Sequence, residues 1–337
     1  MEEYRMTRVK WGVLGAAKIG LDRVIPGMLK AANVEVAAIA SRDLAKARAA
    51  ADRLGIPTAY GSYEELLADP EIQVIYNPLP NNLHVEWTLR ATQAGKHVLS
   101  EKPMGMNAAD AEALRGCPKD RLVMEAFMVR FHPQWIRARE IVRSGRLGQI
   151  RTLQMLFAYN NPDPANIRNK LETGGGALMD IGCYPMVGGR FLLDADPQRV
   201  IALIDRDPTF GTDRLSSAIL DFGQGRHMTF AVSTQANRYQ RLQVLGTDAR
   251  LEIVIPVNAP QGEETRILLD DGSAPDGSSA IVETIAASDQ YTLQAEAFSR
   301  AVLGEEALVW GVEDSILNMR ILDALFRSET SGKWETP

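Results

Sequence analysis

Two short segments carry the groups best suited to chemistry in this chain, Glu101-Lys102-Pro103 and Asp180-Ile-Gly-Cys-Tyr184. Together they supply a lysine, a tyrosine and two carboxylates. A phenol can exchange a proton with a carbinol or carbonyl oxygen while a hydride moves elsewhere. Its ordinary pKa near ~10 makes it a poor base at neutrality. A lysine ammonium in the same cleft favours the phenolate and lowers that pKa. Lys102 follows a strand-like run, His97-Val-Leu-Ser100, and Tyr184 follows a Gly174-Gly-Gly176 stretch. The expectation is that Lys102 and Tyr184 act as one acid–base unit.

Such chemistry needs a hydride carrier, and the first 125 residues read as a fold that holds one. Apolar strand-like runs at 9–14, 34–40, 72–76, 98–100 and 122–125 alternate with helical stretches at 18–31, 43–54 and 82–94. Ser62-Tyr-Glu-Glu65 has the spacing of a capping box, and Asn107 is a further cap. Strands separated by helices of this length predict a doubly wound parallel Rossmann sheet, with its ligand at the carboxyl ends of the strands. The first strand–helix turn is Gly15-Ala-Ala17-Lys18-Ile19-Gly20, a dinucleotide fingerprint with Ala17 in place of the middle glycine. After the second strand, Ala40-Ser41-Arg42 with Lys46 stands where an NAD site has an acidic residue for the ribose 2′-hydroxyl. Serine and arginine suit a 2′-phosphate instead, so NADP(H) is expected over NAD(H). Asp43 reads as a helix residue favoured by the macrodipole.

Beyond residue 150 the pattern changes to consecutive strands, at 149–158, 200–205, 216–222, 227–233, 241–246 and 250–255. Met228-Thr-Phe-Ala-Val-Ser-Thr234 alternates clearly, as in an antiparallel sheet with unlike faces. Helices are expected at 134–144, 177–193, 290–302 and 312–329, and an exposed loop or hairpin at 261–279. The fold class is therefore α/β: residues 1–126 form a dinucleotide-binding Rossmann domain, and 127–337 a substrate-binding α+β domain with an open, mainly antiparallel sheet. The bare face of that sheet predicts a homodimer.

The bulk properties agree. The 337 residues carry a net charge of -6 and 24% charged side chains, without the basic cluster of a nucleic-acid binder. No apolar run is long enough for a membrane span. The charged N-terminus reads as the approach to a first strand, and the two cysteines, Cys117 and Cys183, have no metal or redox spacing. A cytoplasmic setting is expected. The four histidines are dispersed, so no metal is expected.

The segments Lys10 to Gly20, Asn77 to His84, Glu101 to Pro103 and Gly174 to Pro185, in this order, resemble the glucose–fructose oxidoreductase/inositol dehydrogenase/MocA (Gfo/Idh/MocA) family. The resemblance covers essentially the whole chain. It implies that Lys102 contacts both the nicotinamide ribose and the substrate oxygen, that Glu101 lies at the cofactor edge, and that Asp180 and Tyr184 are functional. It also implies that Leu79, Pro80, Asn82 and His84 lie along the cofactor. Asn82 alternatively fits an ordinary helix N-cap, and His84 a satisfied first-turn histidine. Inositol dehydrogenases carry histidine where this chain has Tyr184, which is similar instead to the D-xylose dehydrogenase and dimeric dihydrodiol dehydrogenase branches. The implied activity is an NADP(H)-dependent sugar or diol dehydrogenase acting on CH–OH groups, aldose to lactone in the sugar case. A non-catalytic NADP-binding regulator and a cofactor-retaining glycosidase or lyase are the alternatives. Asn160 and Arg168 are further substrate contacts or else solvated loop residues. Arg130-Phe-His132 is either a substrate contact or a turn that starts a helix.

Overall fold

The computed structural model describes residues 7–337. These divide into two compact units: residues up to Met128 together with Gln290–Ile316, and Val129–Asp289 together with Leu317–Pro337.

The first unit is built on six parallel strands, β1 (Val9–Leu14), β2 (Val34–Ala40), β3 (Thr58–Tyr60), β4 (Val74–Asn77), β5 (His97–Ser100) and β6 (Val123–Glu125). Their order is β3-β2-β1-β4-β5-β6, so the chain reverses direction across the sheet between β1 and β4. Trp11, Val13, Leu14, Val74, Ile75 and Tyr76 are all fully buried, as expected of strands covered on both faces. Capping residues set the connecting helices. Asp43 accepts from the backbone N–H of Ala45 and Lys46, at 2.9 and 3.3 Å, to start Leu44–Leu54. Ser62 Oγ accepts from Glu65 N at 3.1 Å to start Tyr63–Ala68, and the Glu65 carboxylate reaches back to Gly61 N at 2.9 Å. Asn107 caps Ala108–Glu112.

The expected helix at 18–31 runs unbroken over 18–28, with a π-turn over Gly20–Val24 ahead of a closing α-turn over Ile25–Met28. The strand Thr58–Tyr60 is too short to show a period and was not expected from the sequence. Residues 290–316 belong with this unit because the helix Gln290–Val302 is pinned to it. Trp11 Nε1 donates to Ser299 Oγ at 3.1 Å, and the Trp11 ring meets Phe298 edge-on at 5.7 Å. Thr292 donates to the carbonyl of Gly27 at 2.7 Å.

The second unit carries an eight-stranded sheet of β7 (Ile150–Asn160), β8 (Arg199–Arg206), β9 (Asp213–Asp221), β10 (His227–Ser233), β11 (Gln235–Gly246), β12 (Arg250–Ile253), β13 (Thr265–Asp270) and β14 (Ile281–Ile285). The order is β14-β13-β12-β11-β7-β10-β9-β8, and every pairing is antiparallel except β7 with β10. Two of these strands, β13 and β14, lie in or beside the segment expected to be a loop or hairpin. One face packs on helices. Trp135, from the helix Pro133–Arg143, donates to Pro256 O at 2.6 Å, and Ser328, from Val312–Ser331, accepts from Ala202 N at 3.0 Å. On the opposite face, register places Leu203, Leu215, Ile219 and Leu156 together on one side of the sheet, between 40% and 78% exposed.

Candidate active site

In the first unit the expected residues converge on the carboxyl edge of the sheet. Gly15, directly after β1, has φ +83°, and a Cβ there would lie 3.1 Å from Leu79 Cδ2 and 3.4 Å from the Tyr63 hydroxyl. Only glycine adopts this conformation freely, and its missing Cβ leaves room for Leu79 and Tyr63 against the turn. Ala17 and Ile19 are half-buried in the turn, while Lys18 is exposed and pairs with Asp22 at 3.4 Å. After β2, Ser41 is buried and its Oγ accepts from Asp43 N at 3.3 Å; Arg42 and Lys46 are exposed. Asp43 caps the helix with its carboxylate, so this acid is already engaged. These residues could hold a dinucleotide.

The loop after β4 and the Glu101-Lys102-Pro103 segment are tied together by His84. Its ring is 1% exposed, with Nε2 2.6 Å from Leu79 O and Nδ1 2.8 Å from Pro103 O. A neutral imidazole donates through one nitrogen only, so the two carbonyls pull its pKa up. Burial outweighs them and brings it down to about 4. Both ring nitrogens are thus directed at backbone, which makes His84 a clamp between two loops rather than a direct ligand donor. Leu79 is buried, Pro80 half-buried and Asn82 exposed. Asn82 lies inside the 3₁₀ turn Asn81–Leu83, not at the cap of the helix His84–Gln93, whose N-cap is Leu83. The Tyr76 hydroxyl donates to Glu101 Oε1 at 2.7 Å. Glu125, missed in the sequence, ends β6 and accepts from Met104 N at 2.8 Å, fixing the chain just past Lys102.

In the second unit Asp180 and Tyr184 stand one turn apart where a π-turn, Leu178–Gly182, runs into the α-helix Cys183–Leu193. π-Bulges of this kind are frequent at functional sites. The Tyr184 ring is 6% exposed and meets Phe157 edge-on at 6.0 Å. One oxygen of Asp180 takes two partners, the Tyr159 hydroxyl at 2.5 Å and Arg168 Nε at 2.9 Å. Burial and the Asp180 charge push the Tyr159 phenol up, and Asp180 raises the Arg168 guanidinium further, with Tyr184 adding to it. The expected Asn160 is exposed at the end of β7; its neighbour Tyr159 is the residue joined to Asp180.

The glycine stretch has a specific function in this geometry. A Cβ on Gly176, at φ +122°, would fall on Asp213 Oδ1. That close approach lets Asp213 Oδ2 accept from Leu178 N at 2.7 Å and from Ser216 Oγ at 2.7 Å, capping the helix that carries Asp180 and Tyr184. Gly176 N also donates to Arg168 O at 2.9 Å, tying the Arg168 loop to the same point. Arg130 is buried, and His132 is the N-cap of Pro133–Arg143, accepting from Gln134 N at 3.1 Å. His132 therefore starts a helix. Among the described residues, no group of three His, Cys, Asp or Glu could hold a metal, and no helix is long and apolar enough to cross a membrane.

Residues 9–126 match the family model described as "Oxidoreductase family, NAD-binding Rossmann fold", and 135–252 match the GFO/IDH/MocA C-terminal domain. The chain is 46% identical over 334 residues to an uncharacterized oxidoreductase, ORF334, of Rhizobium meliloti, covering 98% of this chain and 100% of that one. The chain belongs to the Gfo/Idh/MocA oxidoreductase family. It is 40% identical to the D-xylose 1-dehydrogenase (NADP(+)) 2 of Haloferax volcanii, over 96% of this chain and 98% of its relative. Among solved structures it is similar to a 3-ketoreductase from Actinomadura kijaniata in complex with NADP and TDP-benzene, at TM-score 0.88 and 29% identity, covering 96% and 98% of the two chains.

Proposed function

We propose that the protein is an NADP(H)-dependent dehydrogenase that moves a hydride between nicotinamide and the carbinol or carbonyl carbon of a sugar or related diol. The observation that carries this reading is Tyr184 in the first turn of the helix Cys183–Leu193, a buried phenol one turn from an Asp180 on the π-turn that is already paired with Arg168. The relatives named as an NADP(+)-dependent xylose dehydrogenase and as trans-1,2-dihydrobenzene-1,2-diol dehydrogenases support the substrate class. Ser41 and Arg42, with Asp43 engaged as a cap, support the cofactor.

The bound dinucleotide supplies the hydride acceptor, with Gly15, Ala17, Lys18, Ile19, Ser41, Arg42, Lys46, Leu79, Pro80 and Asn82 along it and Glu101 at its edge. Tyr184 takes the proton of the substrate hydroxyl, and Lys102 stabilises the oxygen as negative charge develops on it. Asp180 orients a second hydroxyl, with Tyr159 and Arg168 holding its carboxylate in place. Asn160 and Arg168 contact the rest of the sugar or diol. The active form is a homodimer joined through the open face of the second unit's sheet, and it works in the cytoplasm.

A panel of aldoses and diols with NADP+ and NAD+ tests the activity. On the best substrate, Tyr184→Phe and Lys102→Ala should each lower turnover by roughly 10²–10⁴-fold, with the double variant little worse than the worse single. Near-normal turnover of Tyr184→Phe on every active substrate would refute the assignment.

A further inference from the structure

Tyr76 is the last residue but one of β4 and is fully buried, with Val13 of β1 and Leu99 of β5 as its register neighbours. A Cβ on Gly20 would lie 3.5 Å from Tyr76 Cε1 and 3.7 Å from Pro78 Cγ. The hydroxyl end of the ring therefore packs against the close of the Gly15–Gly20 turn. From there the hydroxyl donates to Glu101 Oε1 at 2.7 Å. The next residue of β4 holds the main chain of Glu101, since Asn77 O accepts from Glu101 N at 2.9 Å. Glu101 is thus fastened to β4 twice, and its side-chain bond leads back to the first strand–helix turn.

A half-buried glutamate at a strand end ordinarily samples many rotamers, and fixing one when a ligand arrives costs free energy. A phenol already locked in the core removes part of that cost in advance. The bond length is typical of a hydroxyl donating to an ionised carboxylate. Such a carboxylate only accepts, so what it offers a ligand is a place for a hydroxyl or an amide N–H. The order of the sheet says which part of a ligand that is. Ser41 and Arg42 follow β2 on one side of β1, whereas Tyr76 and Glu101 belong to β4 and the end of β5 on the other. A dinucleotide crossing at the switch point, with its adenosine at Ser41 and Arg42, brings its nicotinamide half to Glu101.

We propose that Tyr76 is a positioning residue for the nicotinamide half of the cofactor: lodged against the Gly20 end of the turn, its hydroxyl holds the Glu101 carboxylate ready to accept from a ribose hydroxyl. This rests on the reading above that puts Glu101 at the cofactor edge, and adds the residue that orients it. Tyr76→Phe keeps the ring in the core and removes only the hydroxyl.

Calorimetric Kd values for NADP+, NAD+ and 2′,5′-ADP, which lacks the nicotinamide half, should be compared across the wild-type protein, Tyr76→Phe, Glu101→Ala and the double variant. Tyr76→Phe is expected to weaken both dinucleotides in step by roughly three- to tenfold, the scale of ordering one long side chain on binding, and to leave 2′,5′-ADP within about 1.5-fold. In the Glu101→Ala background the same change should add almost nothing, because Tyr76 acts through that carboxylate. Loss of 2′,5′-ADP binding alongside the dinucleotides, or a full further loss in the Glu101→Ala background, would mean that the hydroxyl serves only the fold and would overturn the proposal. If Glu101→Ala weakens the dinucleotides and Tyr76→Phe does not, the Tyr76 assignment is wrong and the cofactor reading survives. If the wild-type protein binds neither dinucleotide, the cofactor reading fails and the proposal with it.

Discussion

Replacing Asp180 by asparagine isolates the charge at the centre of the second unit's network. The amide is nearly isosteric and can still accept from Tyr159 or Arg168, so what is lost is charge assistance in both bonds. Hydrogen bonds to an ionised group are worth about 1.5–3 kcal/mol against about 1 for neutral pairs. Two such bonds, at 2.5 and 2.9 Å on the same oxygen, set a loss of roughly 1–4 kcal/mol. The Arg168 side chain is 39% exposed, and water recovers part of its share, which brings the figure to about 1–3 kcal/mol. If the network is needed in the transition state, kcat/KM should fall by roughly 5–150-fold. Tyr159 offers an independent readout. Its phenol is pushed up by burial and by the Asp180 charge, so removing the charge should lower its titration midpoint in ultraviolet difference spectra. A double-mutant cycle with Tyr159→Phe should give a coupling of about 1–2 kcal/mol. Turnover within about twofold of the wild type, together with an unmoved Tyr159 titration, would show that Asp180 has no part in the chemistry and that Tyr159 is held by other groups.

Gly176→Ala places a methyl on the Asp213 carboxylate in a backbone conformation closed to side chains, and should cost roughly 3 kcal/mol or more in denaturant unfolding while lowering turnover with it; a variant with wild-type stability would contradict the packing argument. His84 and His132 are both held down to about 4 by burial. The unfolded chain, titrating near ~6.5, then binds protons that the native state refuses, so stability should decline as pH falls from about 6.5 toward 4, by up to roughly 3 kcal/mol per histidine. His132→Asn keeps a helix cap and should remove about half of that decline between about pH 7 and pH 5 in urea titrations; an unchanged slope would exclude His132 as a source. Ile219→Lys puts a charge on the open sheet face that meets its own copy across a two-fold axis, so light scattering should show the mass falling to that of one chain; a wild-type protein already monomeric at micromolar concentration would dispose of the dimer itself.

Some of these residues could be read directly from the sequence and others could not, and the difference follows from the range of the interactions that place them. The parallel sheet announces itself through local signals. Ser62 with Glu65 caps one helix and Asn107 another, and Gly15 is required by a φ that few other residues tolerate. Lys102 was accessible for the same reason, since the end of a parallel strand is a place where ligands bind. Tyr159 was not. Strand alternation fixes which side chains face inward only while the ladder is regular, and β7 breaks its period where Phe157 and Ala158 are both buried. The partner strand supplies the cause. Asn160 pairs with Gln235 but Ala158 pairs with Tyr239, so β11 spends four residues where β7 spends two. A bulge of this size resets inside and outside, so alternation along β7 does not reveal that Tyr159 turns toward Asp180. Asp213 was hidden differently. It is a lone acid at the start of β9, and its use depends on Gly176, thirty-seven positions earlier, coming close enough to leave space for its carboxylate. The glycine stretch was visible as a feature with no stated purpose. Its purpose is a contact distant in sequence, made by the residue whose carboxylate caps the helix that holds Asp180 and Tyr184 in place.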